Sequence, residues 1–116
     1  MLRSFSNKML QAMRRLTIVT ILSNAGEQPE EFLERLQEFM QDFVQSDSAL
    51  MDALVGYAQH VEEVENRYAV KYLVALDQAP IFEDACLRAG FDFLPATEEF
   101  TEDEAQLYEW IYVDSQ

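Results

Sequence analysis

His60, Cys86 and a series of adjacent carboxylates are the residues of this chain with the chemistry to support a reaction. His60 and Glu63 stand three apart and would share one side of a helix, where both could touch a metal ion. Two ligands are too few for a protein metal site, and the Glu-x-x-His order of di-metal carboxylate bundles is absent. No Ser–His–Asp or Cys–His pattern surrounds His60, so it is expected to be a surface or half-buried structural histidine. Cys86 lies beside Leu87 in an amphipathic stretch. A reactive thiol needs a nearby cation to lower its pKa. Arg88 is close in sequence, but it should point to another side of the helix, so Cys86 is expected to be a small core residue.

The carboxylates pair repeatedly, at Glu30–Glu31, Glu62–Glu63, Glu83–Asp84, Glu98–Glu99 and Glu102–Asp103–Glu104. Acid–base catalysis needs two carboxyls in one cleft with pKa values pushed apart. Neighbours along a helix diverge into water instead. No stretch alternates Asp around a central Gly as a calcium loop does, and no Gly-rich loop is present to cradle phosphate. The expectation is no catalytic, cofactor-binding or metal site, and so no enzyme and no cofactor.

The elements that would position these groups are bounded by composition. The chain has 116 residues, of which 49% are apolar, with eight Phe, five Tyr and one Trp. That is enough for one domain over residues 1–116 with its own core. Three Gly and three Pro are few for an all-β fold. With a single cysteine no disulfide can form within the chain, so a reducing cytoplasmic setting fits. No apolar run approaches the roughly 18 residues of a membrane span. Residues 1–26 carry Arg3, Lys8, Arg14 and Arg15 and no acid, which has the look of a transit peptide. They are expected to belong to the fold instead.

Apolar spacing predicts an all-α, compact bundle of about five helices. Leu2, Phe5, Met9, Ala12, Leu16 and Val19 step by three and four, predicting a helix from about Ser4 to Leu22. Pro29, Glu30 and Glu31 open a second helix whose stripe is Phe32, Leu36, Phe39, Met40 and Phe43, ending near Gln45. Ser46–Asp47–Ser48 offers caps for a third, through Leu50, Leu54, Tyr57, Ala58, Val61 and Val64. It is expected to continue past Asn66, because no turn residue interrupts it, although Tyr68, Val70, Tyr72, Val74 and Leu76 alternate as a strand would. Pro80 begins a short helix from Ile81 to Ala89, closed by Gly90. Thr101 and Glu104 form a capping-box pattern opening a last helix through Leu107, Trp110 and Ile111. The alternative is α+β, with short strands near 68–76 and 108–113.

The segment Ala85–Cys86–Leu87–Arg88–Ala89–Gly90–Phe91–Asp92–Phe93 resembles the A-x-x-A-G-F-x-F ending of the short helical leader domains of bacterial peptide-modification clusters. Asp47–Ser48–Ala49–Leu50 resembles the Asp-x-x-Leu element that precedes that ending, across a longer gap. The match covers under a fifth of the chain, and no function is carried over from it.

Charge points to a class of partner. The formal net charge is −14, with 22 Asp and Glu against eight Lys and Arg. Such a body repels nucleic-acid phosphates and anionic membranes, so direct binding of either is not expected. The preferred reading is an acidic protein-binding module that inhibits, neutralises or chaperones a basic partner, with a homodimer as one possible form. Its contacts would come from Glu30, Glu31, Glu34, Glu38 and Asp42 on the second helix and from Glu98, Glu99, Glu102, Asp103 and Glu104. Tyr108, Trp110 and Tyr112 would supply aromatic anchors. The alternative is a nucleic-acid mimic of the antirestriction or anti-CRISPR type. It would block a nucleic-acid-binding protein, since acids four apart on a helix are spaced about 6 Å, much as phosphates are. A small enzyme or metal protein would need His60 and Cys86 to converge.

Overall fold

The computed structural model describes residues 14–105 and 110–113, apart from the side chains of Phe100 and Glu102. Within these the protein is α+β, which corrects the expectation of an all-α five-helix bundle. In chain order the elements are β1 (Arg15–Leu22), α1 (Pro29–Phe39), α2 (Ser48–Ala53), β2 (Leu54–Ala58) and β3 (Glu62–Val64). Then follow β4 (Arg67–Ala75), α3 (Ala79–Arg88), β5 (Asp92–Leu94), β6 (Phe100–Thr101), α4 (Glu102–Ala105) and β7 (Trp110–Tyr112). A π-helical turn, Met40–Val44, extends α1. The strands form an antiparallel sheet ordered β5-β1-β4-β2-β7, with β3 also paired to β4 and β6 to β1.

The predicted first helix is a strand over residues 15–22, and its beginning lies outside the described residues. Thr17 to Ile21 are five successive β-branched residues, which are stiff at χ1 and favour the pleated backbone. Leu16 and Val19 fit helical spacing only because both faces of β1 are covered, which leaves a near-continuous apolar run. The predicted continuation of the third helix is β4, where the alternation of Tyr68, Val70, Tyr72 and Val74 is the governing pattern. That third helix itself ends at Ala53, and Leu54–Ala58 is a strand. Of the predicted last helix, Glu102–Ala105 is helical, Leu107 lies outside the described residues, and Trp110 and Ile111 belong to strand β7.

The turn between β3 and β4 is Glu65–Asn66, with φ of +48° and +70°. Val64 pairs directly with Arg67 across it. This is a two-residue hairpin loop with left-handed φ at both positions, and it contains no glycine. Glu65 bears the steric cost of that conformation. Glu65→Asn should therefore raise the unfolding free energy by about 0.5–1 kcal/mol, measured by urea denaturation. No gain would mean that the turn relaxes its φ in solution.

Helices α1, α2 and α3 cover one face of the sheet. Its core holds Val19 and Ile21 of β1 and Val70, Tyr72 and Val74 of β4, under Phe32, Leu36, Phe39, Leu50, Phe82 and Cys86. The opposite face carries a smaller cluster of Leu16, Val55, Leu73 and Ala105, with Ile18 and Trp110 packed against it. Several local devices match the sequence reading. Asp47 accepts hydrogen bonds from the Ala49 and Leu50 amides at the start of α2. At the end of α3, Gly90 has φ +84°, the Phe91 N–H donates to the Cys86 carbonyl, and the Gly90 N–H donates to that of Leu87. This is a Schellman closure, which turns Phe91 into the core.

Arg35 ties α1 to its own approach. Its guanidinium donates to both Glu27 carboxylate oxygens, at 2.7 and 2.8 Å, and lies 4.5 Å over the Phe91 ring. The Arg35 hydrogen bond holds the Glu27 carboxyl below its ordinary range, with help from the Asn24 amide and against the opposing effect of burial. A depressed carboxyl stabilises the fold fully above the unfolded-state pKa, and the gain is lost as pH falls through the folded value. Glu27→Gln should cost about 1–3 kcal/mol at pH 7. It should also flatten the fall in stability below pH 4.5, the ordinary value. Parallel pH–stability curves for the two proteins would contradict this.

Candidate functional site

The strand pairings leave a defect that builds a groove. Tyr57 pairs with Tyr72, and the next pair on that side of β4 is Glu62 with Ala69. Residues 58–61 therefore face only residues 70 and 71, and the two extra residues are thrown outward around Gln59 and His60. Bulges of this kind re-aim side chains beside functional sites. Above the bulge α1 widens into its π turn, closed by a hydrogen bond from the Gln45 N–H to the Met40 carbonyl at 2.8 Å. Such turns are also frequent at functional sites.

Between the two lies a groove of about 410 Å³. Leu33, Leu36, Gln37, Met40, Gln41 and Gln45 form the helical wall, and Tyr57, Gln59, His60, Val61, Val70 and Tyr72 form the sheet side. The volume falls among those of ligand pockets, which run from about 300 to 1,000 Å³. No Asp, Glu, Lys or Arg lines it, although the chain carries a net charge of −14. Tyr72 is 3% exposed, and burial is the main cause that raises its phenol pKa far above the ordinary range. Its ring lies 6.3 Å from that of Tyr57 and 5.6 Å from that of Phe82. None of the hydrogen bonds made by described residues reaches the Tyr72 hydroxyl, the His60 ring or the side-chain amides of Gln37, Gln41, Gln45 and Gln59.

The acids expected to contact a partner divide into two groups. Glu30, Glu34 and Glu38 are exposed on the outer ridge of α1, one helical position round from Gln37 and Gln41. Asp42 is exposed on the π turn, and Glu31 accepts from the Gln28 amide at the start of α1. The second group runs beside the start of β1, where the Thr17 hydroxyl donates to the Glu98 carbonyl and Glu99 pairs with Arg15 at 3.3 Å. Asp103 is exposed, and Glu104 accepts from the Thr101 amide and hydroxyl. Those hydrogen bonds hold the Glu104 carboxyl below its usual range. Ala105, at the end of this segment, packs on the face of the sheet opposite α1, so the structure does not bring the two groups together. Glu102's side chain and Tyr108 lie outside the described residues. Trp110 is half-buried in the second cluster, and Tyr112 is exposed on β7.

Arg15, Arg35, Arg67, Lys71 and Arg88 are each ion-paired, with Glu99, Glu27, Asp92, Glu62 and Asp84. No such pair engages the outer ridge of α1.

His60 and Cys86 do not share a site. His60 is exposed on the bulge and lines the groove, whereas Cys86 is fully buried between α3 and the sheet. Burial pushes its thiol up to about 12, with the Glu83 charge adding to the effect. A thiol-specific reagent at pH 8 should leave Cys86 unlabelled in the folded protein and modify it fully once denaturant is added. Prompt labelling of the native protein would contradict its burial. Among the described residues, no group of three or more His, Cys, Asp and Glu side chains is placed to hold a metal ion, and no helix is long and apolar enough to cross a membrane.

Sequence reasoning overlooked the groove. One signal was available, since Gln37, Gln41 and Gln45 recur every four residues and mark an uncharged stripe on an otherwise acidic helix. The His60 bulge had no such signal, because it exists only relative to β4. No protein family, curated protein or solved structure matches the chain.

Proposed function

We propose that this protein is a non-catalytic acidic binding module that holds a basic partner protein, inhibiting, neutralising or chaperoning it in a reducing, cytoplasmic setting. The observation that carries this reading is the charge arrangement. Five of the six described Lys and Arg residues, Arg15, Arg35, Arg67, Lys71 and Arg88, are spent on internal ion pairs, while Glu30, Glu34 and Glu38 stand exposed along one helix. Such a ridge speeds encounter with a positive surface and selects against negative ones. A nucleic-acid mimic would need one continuous carboxylate face. The split of the acids between α1 and the far side of the sheet does not favour it.

The test is capture of partners from native extract by wild-type protein and by Glu30→Gln/Glu34→Gln/Glu38→Gln, each at low and high salt. A basic protein held by the wild type, released by salt and retained about tenfold less by the variant is the expected result. Retention of the same proteins by both, regardless of salt, would defeat the reading.

A further inference from the structure

We propose that the groove between α1 and the His60 bulge is where the partner is anchored. Its occupant is a short segment of the basic protein that seats one tyrosine or tryptophan in the groove and carries lysines or arginines on either side. This rests on the binding-module reading above and gives it a location.

Three observations point to that occupant. The floor is apolar and adaptable, with Leu36, Met40, Val61 and Val70 beside the rings of Tyr57 and Tyr72; methionine and aromatic surfaces of this kind receive aromatic anchors. Tyr72 is buried as a residue and lines the groove, and its hydroxyl, which makes no hydrogen bond within the described protein, is not sealed from solvent. A ligand that hydrogen-bonds this hydroxyl gains a directional contact on an otherwise apolar floor. A phenol or an indole does so, and a purely aliphatic side chain does not.

The rims set the sign of what lies to either side. Along one edge stand Glu34 and Glu38 of α1. Along the other, Val61 leads into β3, where Glu63 is exposed and, paired with Tyr68, shares the sheet face of Val70 and Tyr72, while Glu62 is turned to the opposite face and pairs with Lys71. The walls between them hold no carboxylate, so a cation would not be neutralised inside and belongs at the rims. An acidic segment, or a nucleic acid, would meet carboxylates on both sides.

The probe is an acetylated, amidated peptide of seven residues, with a central tryptophan, alanine on each side of it and two lysines at each end. His60 is the sole histidine of the chain, so its ring protons give one NMR reporter within the groove. The expected result is saturable movement of the His60 signals, with affinity falling about tenfold from low to high salt. A similar loss is expected when the peptide's tryptophan becomes alanine. Leu33 is 47% exposed on the lip of the groove, so Leu33→Lys should fold normally and weaken binding about tenfold by placing a cation there.

Salt-sensitive binding that leaves His60 unmoved and ignores Leu33→Lys would overturn the groove as the anchor while sparing the acidic-module reading. No salt-sensitive binding anywhere on the chain would remove both. If N-acetyl-tryptophanamide moves His60 as strongly as the lysine peptide, the groove takes neutral small molecules and the peptide assignment is wrong.

Discussion

Replacing Phe39 with alanine is expected to lower the unfolding free energy by about 3–5 kcal/mol, the range for deleting a buried phenyl group. Phe39 is 2% exposed. Its ring meets Phe43 of the π turn at 5.8 Å, Phe82 of α3 at 5.9 Å and Phe91 ahead of β5 at 5.4 Å, the last two edge-on. Those contacts join α1 to α3 and to the segment that enters β5. The truncation removes both the transfer energy and the packing of three neighbours that cannot all close the gap. A domain of this size has about 5–15 kcal/mol in total, so Phe39→Ala should leave a marginal protein. Phe39→Leu, which keeps most of the volume, should lose well under half as much. Urea denaturation of the three proteins decides the matter. A loss under about 1.5 kcal/mol for alanine would mean that α1 and α3 do not pack on the sheet as described.

Gly56→Ala should detach or distort strand β7. A Cβ at this position would stand 2.8 Å from the Ile111 carbonyl oxygen and 3.4 Å from the Tyr112 Cα. Both are backbone atoms and cannot swing aside as a side-chain tip would. Gly56 sits where the β2–β4 register shifts, between the Leu54–Val74 and Gly56–Leu73 pairs. It also pairs with Tyr112 on its other side, so its backbone is held from both neighbours. The expected cost is about 1–3 kcal/mol, as for an overpacked site. Hydrogen exchange should quicken across residues 110–113, including the Val113 amide that donates to the Val55 carbonyl, while β1 and β4 stay protected. Unchanged exchange there would show that β7 is not seated against Gly56.

These effects bear on function differently. Phe39 lies under the helical wall of the groove, whose residues Leu36 and Met40 flank it in sequence. Its loss should loosen the groove along with the core. β7 lies on the far side of β2 from β4, so Gly56→Ala should change the Trp110 environment and leave the α1 ridge intact. Partner binding that survives Gly56→Ala would accordingly separate the groove from the β7 aromatics as the anchoring surface.

How much was legible beforehand follows the range of the forces involved. α1 and α3 were readable because their signals are local: Pro29 and Pro80 in first turns, the Phe32–Leu36–Phe39 stripe and the Gly90 closure all act within a few residues. The acidity, the burial of Cys86 and the exposure of the Glu30–Glu34–Glu38 ridge were equally local matters of residue type and period. The sheet was not readable in the same way. β1 is buried on both faces, so its apolar residues fit helical and strand spacing alike. The β3–β4 hairpin turns on Glu65–Asn66, where neither glycine nor proline marks a break. Strand pairing between β1 and β4 joins residues about fifty apart, and no window along the chain contains both partners.

The amino-acid sequence by itself determined a strongly acidic chain, two of its helices, and a single histidine and a single cysteine set far apart along it. Only the tertiary structure decided that β-branched and alternating segments pair into a sheet, because that choice depends on partners distant in sequence. It alone placed the two acidic groups apart and opened a groove free of carboxylates at His60, since a bulge is an excess of residues counted against a neighbouring strand.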